Sequence, residues 1–254
     1  MSKYILITGI NGNLAKRILS YLSIHSEYKV VGCDIHSEYD DRTRDSIDMG
    51  LEFYLECDIR CENSIKSTID ILRERDIFPS VLINNAAVDS IPVKNDRMTG
   101  LEMDNFSDII NVNLKAPILF SKYCSEYWIQ NGIKGNIINI SSIYSIVSPD
   151  PNIYNDGFIK NILYGASKAA LNNLTSQMAV IFIKFGIRVN TLLLAGIYSE
   201  KQDEVFQKNY VSRIPIGRFL EVHEIFDSLN LLLSDKNSYM TGTIIKIDGG
   251  YTLI

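Results

Sequence analysis

The chain has few cysteines, and no pattern among them builds a site. There are four, Cys33, Cys57, Cys61 and Cys124. None forms a CxxC pair, and no histidine or second cysteine pair joins Cys57 and Cys61 into a zinc set. The three histidines, His25, His36 and His223, share no metal spacing and read as surface residues. Thiols left buried or neutral fit a reducing compartment. A basic excess is also missing, with 25 Lys and Arg against 30 Asp and Glu and a net charge of −5. That argues against a nucleic-acid surface, which needs clustered cations. No apolar run is long enough to span a membrane. The start, "MSKYILITG", reaches glycine too soon for a secretory signal. No linker, composition shift or repeat divides the 254 residues. The expectation is one cytoplasmic domain, 1–254, that binds neither nucleic acid nor membrane.

What is present alternates between short apolar runs and helical periods. The runs are "YILIT" (4–8), "KVVGCD" (29–34), "EFYLEC" (52–57), "SVLINN" (80–85), "GNIINIS" (135–141), "IRVNTLLL" (187–194) and "GTIIKID" (242–248). Helical patterns occupy 12–23, about 61–76, about 103–131 with a break or bend near Pro117, and 164–186. Residues 35–50 are polar and read as a loop. Strands alternating with helices predict an α/β fold, a doubly wound parallel sheet of about seven strands covered on both faces.

"ILITGINGNLA" sets Gly9 at the end of the first strand and Gly12 where the first helix begins. Glycines there permit a sharp turn and the approach of a pyrophosphate to the helix N-terminus. Ala15 occupies the third position of that spacing, where close helix–strand packing tolerates alanine. Asp34 ends the second strand, 25 residues after Gly9, where a carboxylate accepts both hydroxyls of an adenosine ribose. A 2′-phosphate would be repelled by that charge, so NAD is favoured over NADP. A plain strand-to-helix turn and a solvated strand-end Asp are the competing readings.

Of 14 tyrosines only Tyr164 has a lysine four residues on, Lys168. On a helix the two share a face. A free phenol titrates near pH 10, and bringing it close to neutrality takes about 3–4 kcal/mol. A lysine ammonium, the helix N-terminus and a nicotinamide cation together would supply it. Chance alone gives roughly one such spacing in a chain of this composition, so context decides. Ser141, Ser142 and "NNAA" (84–87) fall at the carboxyl ends of predicted strands, where ligands of such sheets bind.

Taken together these segments resemble the short-chain dehydrogenase/reductase family over essentially the whole length. "TGINGNLA" resembles its nucleotide turn, and "CDIR" its adenine-contacting Asp at Asp58. "NNAA" resembles its "NNAG", "NVNL" the segment with its Asn at Asn113, and "NISS" and "YGASK" its Ser and Tyr-Lys pair. "IRVNTLLLAG" and "IDGGY" resemble its last two strand signatures. The resemblance implies a catalytic tetrad of Asn113, Ser142, Tyr164 and Lys168. Ser142 would hold the substrate oxygen and Tyr164 would exchange its proton. Lys168 would lower the phenol pKa and bind the nicotinamide ribose, and Asn113 would bend its helix and anchor a relay water. Cofactor contacts are implied at Gly9, Asn11, Gly12, Asn13, Leu14, Asp34, Asp58, Ile59, Asn85, Ala86, Ala87, Tyr164, Lys168, Gly196 and Ile197. No metal is expected.

Three departures stand out. Ala87 replaces the Gly of "NNAG", Ala195 replaces the usual Pro before Gly196, and 22 residues separate Ser142 from Tyr164. The longer spacing leaves a polar insertion, roughly 144–160, whose Tyr144 and Tyr154 are expected to wall the substrate beside Ser142 and Tyr164. That polarity points to a hydroxyl-rich small molecule. "SSIYSIV" and "PIGR" (215–218) resemble a subgroup linked to bacterial surface-sugar biosynthesis. Residues 198–213 read as a mobile substrate lid. Apolar arcs on the helices at 103–131 and 164–185 resemble those that pair family subunits as homodimers or homotetramers. The leading expectation is an NAD-dependent oxidoreductase of a secondary alcohol or ketone, on a sugar or sugar nucleotide. An epimerase or dehydratase with tightly held NAD, and a dinucleotide sensor without turnover, stand as alternatives.

Overall fold

The computed structural model describes residues 3–38, 50–89, 93–94, 106–154, 158–200 and 202–254. The expected helix start at 103–105, most of the 35–50 loop, and Asn155 and Asp156 of the insertion lie outside the described residues. In chain order the elements are β1 (Lys3–Thr8), α1 (Asn13–His25), β2 (Tyr28–Asp34), β3 (Leu51–Glu56), α2 (Glu62–Glu74), β4 (Val81–Asn84) and β5 (Val93–Lys94). Then follow α3 (Phe106–Ile110), α4 (Ala116–Gln130), β6 (Asn136–Ser142), β7 (Phe158–Ile159) and α5 (Ile162–Phe182). The remainder is β8 (Arg188–Leu194), α6 (Glu204–Ser212), α7 (Phe226–Leu233) and β9 (Ile244–Ile247).

Seven strands form one sheet in the order β3-β2-β1-β4-β6-β8-β9, and every neighbouring pair is parallel. Each arises from one of the apolar runs. Successive side chains leave a strand on opposite faces. Ile5, Ile7, Val81, Ile83 and Leu192 therefore pack with Ile18, Leu19 and Leu22 of α1 and Leu229 and Leu232 of α7. Leu6, Val31, Leu82, Ile137 and Val189 pack on the other face with Ile65, Ile69 and Leu72 of α2 and Phe120, Cys124 and Trp128 of α4. Each of these fully buried side chains contributes about 1.5–3 kcal/mol. The central strands β4, β6 and β8 are buried along their whole length, as parallel strands between two helical layers must be.

The chain builds outward from β1 to β3, then crosses to β4 on the other side of β1. That reversal opens a crevice at the carboxyl ends of β1 and β4. The Thr8 hydroxyl fixes its width by accepting the N–H groups of Asn85 and Ala86, both at 3.1 Å. Inside the sheet, Asn84 donates to Asn139 and Asn139 to Thr175, each at 2.8 Å, and Thr175 shares a 2.8 Å bond with Thr191. This polar chain registers α5 on β6 and β8.

The helical run before β6 is continuous from Phe106 to Gln130, with a π-helical turn at Asn111–Lys115 between α3 and α4. Pro117 is its physical reason. Proline has no N–H to close onto the carbonyl four residues back, which here belongs to Asn113. The turn takes one extra residue instead, and the Ala116 N–H bonds to Asn111 O. The irregularity thus falls before Pro117 and carries Asn113. Among the described residues no helix is long and apolar enough to cross a membrane.

Candidate active site

A cleft of about 640 Å³ opens at the carboxyl ends of the strands. One half begins where β1 turns into α1. Gly9 has φ +67°, and a Cβ there would stand 2.8 Å from the Ala86 Cα, so a side chain is excluded twice over. Gly12 is the N-cap of α1 and supplies no side-chain cap, which leaves the first-turn N–H groups directed at whatever enters. Asp34, buried at the end of β2, accepts the Asn11 N–H at 3.0 Å and lines the cleft. Gly9, Gly12, Asn13, Leu14, Asp34, Asp58 and Ile59 line this half, and Asn85, Ala86 and Ala87 its middle. Asn11 departs from the expected set. Its side chain turns to Tyr54 Oη and Glu38 O, each at 3.3 Å, and only its backbone serves Asp34. Asp58 is held by Arg60 at 2.8 Å, which keeps its carboxyl below the usual range. An uncapped helix start, a side-chain-free turn and a ribose-height carboxylate suit a dinucleotide.

The other half is built by β6 and α5. Ser142 ends β6 and caps a single 3-10 turn at Ile143–Ser145, accepting the Tyr144 N–H at 3.2 Å. Asn161 caps α5 by accepting the Leu163 N–H at 2.9 Å, which sets Tyr164 in the first turn of the helix. Between them Gly165 permits contact, since a Cβ there would stand 2.8 Å from the Tyr144 carbonyl oxygen. The Ser142 hydroxyl is a hydrogen-bond partner of the Tyr164 phenol. Lys168, one turn on, is buried and donates to Ile140 O at 2.9 Å.

Electrostatics here differ from the expectation. In the protein alone burial pushes the Tyr164 phenol up, the Asp89 carboxylate adds to that, and the Ser142 bond opposes it. Burial meanwhile lowers Lys168 to about 8. The lysine charge is directed at a backbone carbonyl, so the spacing rule alone overstates its pull on the phenol. Asn113 sits in the π-helical turn, where its helix was expected to bend. Its Oδ1 accepts the Val88 N–H at 2.8 Å, and its Nδ2 donates to Val88 O and Ser167 Oγ, both at 3.0 Å. Its side chain is fully buried and fastens the loop after β4 to α5.

Tyr144 and Tyr154 line the cleft beside Ser142 and Tyr164 and bond to each other through their hydroxyls. Sequence reasoning missed the rest of this wall. The expected lid region contains α6, packed down with its Asp203 N-cap accepting two N–H groups. Tyr210 of α6 stacks on Phe206, Phe219 and Tyr251 with centroids 5.1–5.5 Å apart, and its hydroxyl accepts the Gly196 N–H at 2.6 Å. Ala195, Gly196 and Ile197 line the cleft from there, and the Ala195 N–H bonds to Ile247 O of β9 at 3.0 Å. Sequence reasoning also missed an ion pair between Lys160 and Asp89, with the Lys160 Nζ 5.0 Å from the centre of the Tyr164 ring. All four cysteines are free thiols, and Cys33, Cys57 and Cys124 are buried. Cys61 is exposed, and Cys57 is lowered to about 7 by hydrogen bonding from Cys33.

A family model described as "Enoyl-(Acyl carrier protein) reductase" matches residues 22–252. An uncharacterized oxidoreductase of Thermotoga maritima is 32% identical over 99% of this chain and 98% of that protein. Glucose 1-dehydrogenase 2 of Bacillus subtilis is 27% identical over 99% of this chain and 95% of that protein. The crystal structure of a short chain dehydrogenase from Leptospira borgpetersenii with bound NAD+ superposes with a TM-score of 0.85. It is 29% identical and covers 99% of this chain and 93% of that one.

Proposed function

The chain belongs to the short-chain dehydrogenase/reductase family of oxidoreductases, and we infer that this member moves a hydride between NAD(H) and a secondary alcohol or ketone of a sugar or sugar-nucleotide derivative. The observation that carries the reading is the convergence of Ser142, Tyr164 and Lys168 on one cleft wall, opposite the turn around Gly9 and Gly12. A nicotinamide dinucleotide supplies the hydride chemistry when bound. Gly9, Gly12, Asn13 and Leu14 would hold its pyrophosphate, Asp34 its adenosine ribose, and Asp58 and Ile59 its adenine. Asn85, Ala86, Ala87, Gly196 and Ile197 would line its nicotinamide end, and Tyr164 and Lys168 would hold the second ribose.

On the substrate side Ser142 donates to the reacting oxygen and Tyr164 takes its proton in oxidation or returns it in reduction. Lys168 acts through charge on both. Asn113 is a positioning residue, holding Val88 and α5 at fixed separation. Asp34 disfavours a 2′-phosphate, which makes NAD the preferred cofactor. The sugar assignment draws on the polar insertion and on the likeness to a glucose dehydrogenase. The narrower expectation of bacterial surface-sugar biosynthesis rests on "SSIYSIV" and "PIGR" alone. Assembly as a homodimer or homotetramer is part of the same reading, supported by Val180, Ile181, Ile183 and Phe185 exposed at the end of α5 and just beyond it.

Tyr164→Phe removes the proton carrier and keeps the ring. With NAD and a panel of polyols and sugar nucleotides, its kcat is expected to fall by about a thousandfold. Unchanged circular dichroism is expected beside that loss. Full activity in this variant sinks the mechanism.

A further inference from the structure

The two-stranded antiparallel sheet of β5 and β7 joins the loop after β4 to the end of the insertion, with Val93 opposite Ile159 and Lys94 opposite Phe158. This pairing brings together two charged residues that are far apart in sequence. Asp89 lies just before β5 and Lys160 just after β7, and they form an ion pair on the cleft wall. The Lys160 side chain is only 10% exposed, whereas that of Asp89 is 54% exposed. The Lys160 Nζ stands 5.0 Å from the Tyr164 ring centre, within cation–π range. The Asp89 charge also reaches both Tyr164 and Lys168, pushing each toward its protonated form. The pair therefore borders the spot where the reacting carbon must lie.

An ammonium only donates hydrogen bonds and a carboxylate only accepts them, while a hydroxyl does both. Two neighbouring hydroxyls satisfy such a pair without net charge. A substrate carboxylate would meet a lysine already neutralised and a half-exposed aspartate of its own sign. The adjoining rings of Tyr144, Tyr154 and Phe206 add apolar surface for a sugar's C–H face. We propose that Asp89 and Lys160 are specificity-determining residues that bind adjacent hydroxyls of an uncharged polyhydroxylated substrate beside Tyr164 and reject its carboxylate analogue. The assignment rests on the oxidoreductase reading of this cleft.

Calorimetric titration of the protein with NADH, using sorbitol and gluconate as the neutral and acid forms of one carbon chain, tests it. Wild type is expected to bind sorbitol at least about tenfold more tightly, the scale of one hydrogen bond to a charged group. Asp89→Asn is expected to weaken sorbitol by about tenfold and to bring the two affinities together, as is the double variant with Lys160→Met. Lys160→Met alone is expected to weaken both compounds. Equal wild-type affinities, or a ratio unchanged in Asp89→Asn, overturn the proposal. Turnover is read separately from nicotinamide absorbance. A binding preference without turnover upholds the pair and counts against the oxidoreductase reading.

Discussion

The Lys168 ammonium is buried and donates to the Ile140 carbonyl. Burial lowers its pKa to about 8 from an ordinary 10.5. Between those two values the unfolded chain binds the proton more tightly than the folded chain. Folded stability therefore rises with pH across that window, and the cost of the buried charge is fully present below it. Lys168→Met carries no such charge. Its stability relative to wild type is expected to drop by about 3 kcal/mol between pH 8 and pH 10.5. Denaturant midpoints of the two proteins across that range measure the difference. A constant gap would show that the lysine proton is not weakly held.

At the scale of elements, catalytic geometry depends on how closely the turn at Ile143–Ser145 approaches α5. A Cβ at Gly165 would come within 2.8 Å of backbone, and neither element can yield without moving Ser142 or Tyr164. Gly165→Ala is expected to cut kcat by about a hundredfold, the usual cost of misplacing reacting groups by about an ångström. Its melting temperature should fall little, since Ala favours helix over Gly. Steady-state kinetics beside a thermal melt separate the two effects. A fully active variant would mean the turn adjusts freely.

The seven main strands were legible because each is a short apolar run ended by polar or glycine residues; Gly9 and Asp34 fall at the ends of two such runs, and Tyr164-Lys168 follows from spacing along one helix. β5 and β7 were not legible. Two-residue strands carry no periodicity, and their pairing is a backbone event between distant segments. Lys160 stands four residues before Tyr164, the same interval as Lys168 beyond it, yet it precedes the helix, so the shared-face rule gives no warrant for it. Its partner Asp89 and the Tyr210–Tyr251 stack exist only through tertiary closure. The bend before Pro117 was legible from the proline itself, whereas its π-helical form, with one added residue closing the turn at Asn111–Lys115, was not.

For the whole molecule, the cleft joins β1, β2, β4, β6, β8 and α5, so a ligand spanning it stabilises both helical layers at once. NAD at about a hundred times its dissociation constant adds about 2.7 kcal/mol. For a chain of this size that raises the melting temperature by roughly 5–10 °C. NADP at the same concentration is expected to give a clearly smaller shift, because Asp34 faces the added phosphate. An equal shift from both would remove Asp34 as the discriminator.

The stack of Tyr251 on Tyr210, and the bond from Ala195 to β9, have a consequence for biosynthesis. The turn around Gly9 and its helix emerge from the ribosome first and can close on β2 early. The loop at 195–197 is held by Tyr210 and Leu220, and the Ala195 N–H and the Tyr210 ring are held in turn by Ile247 and Tyr251 near the far end of the chain. A nascent chain halted before residue 247 would carry the turn around Gly9 beside a loop that lacks its bond to β9 and the Tyr251 stack beneath Tyr210. A stop codon before residue 247 is therefore expected to loosen this wall of the cleft more than the turn around Gly9, which none of those late residues holds.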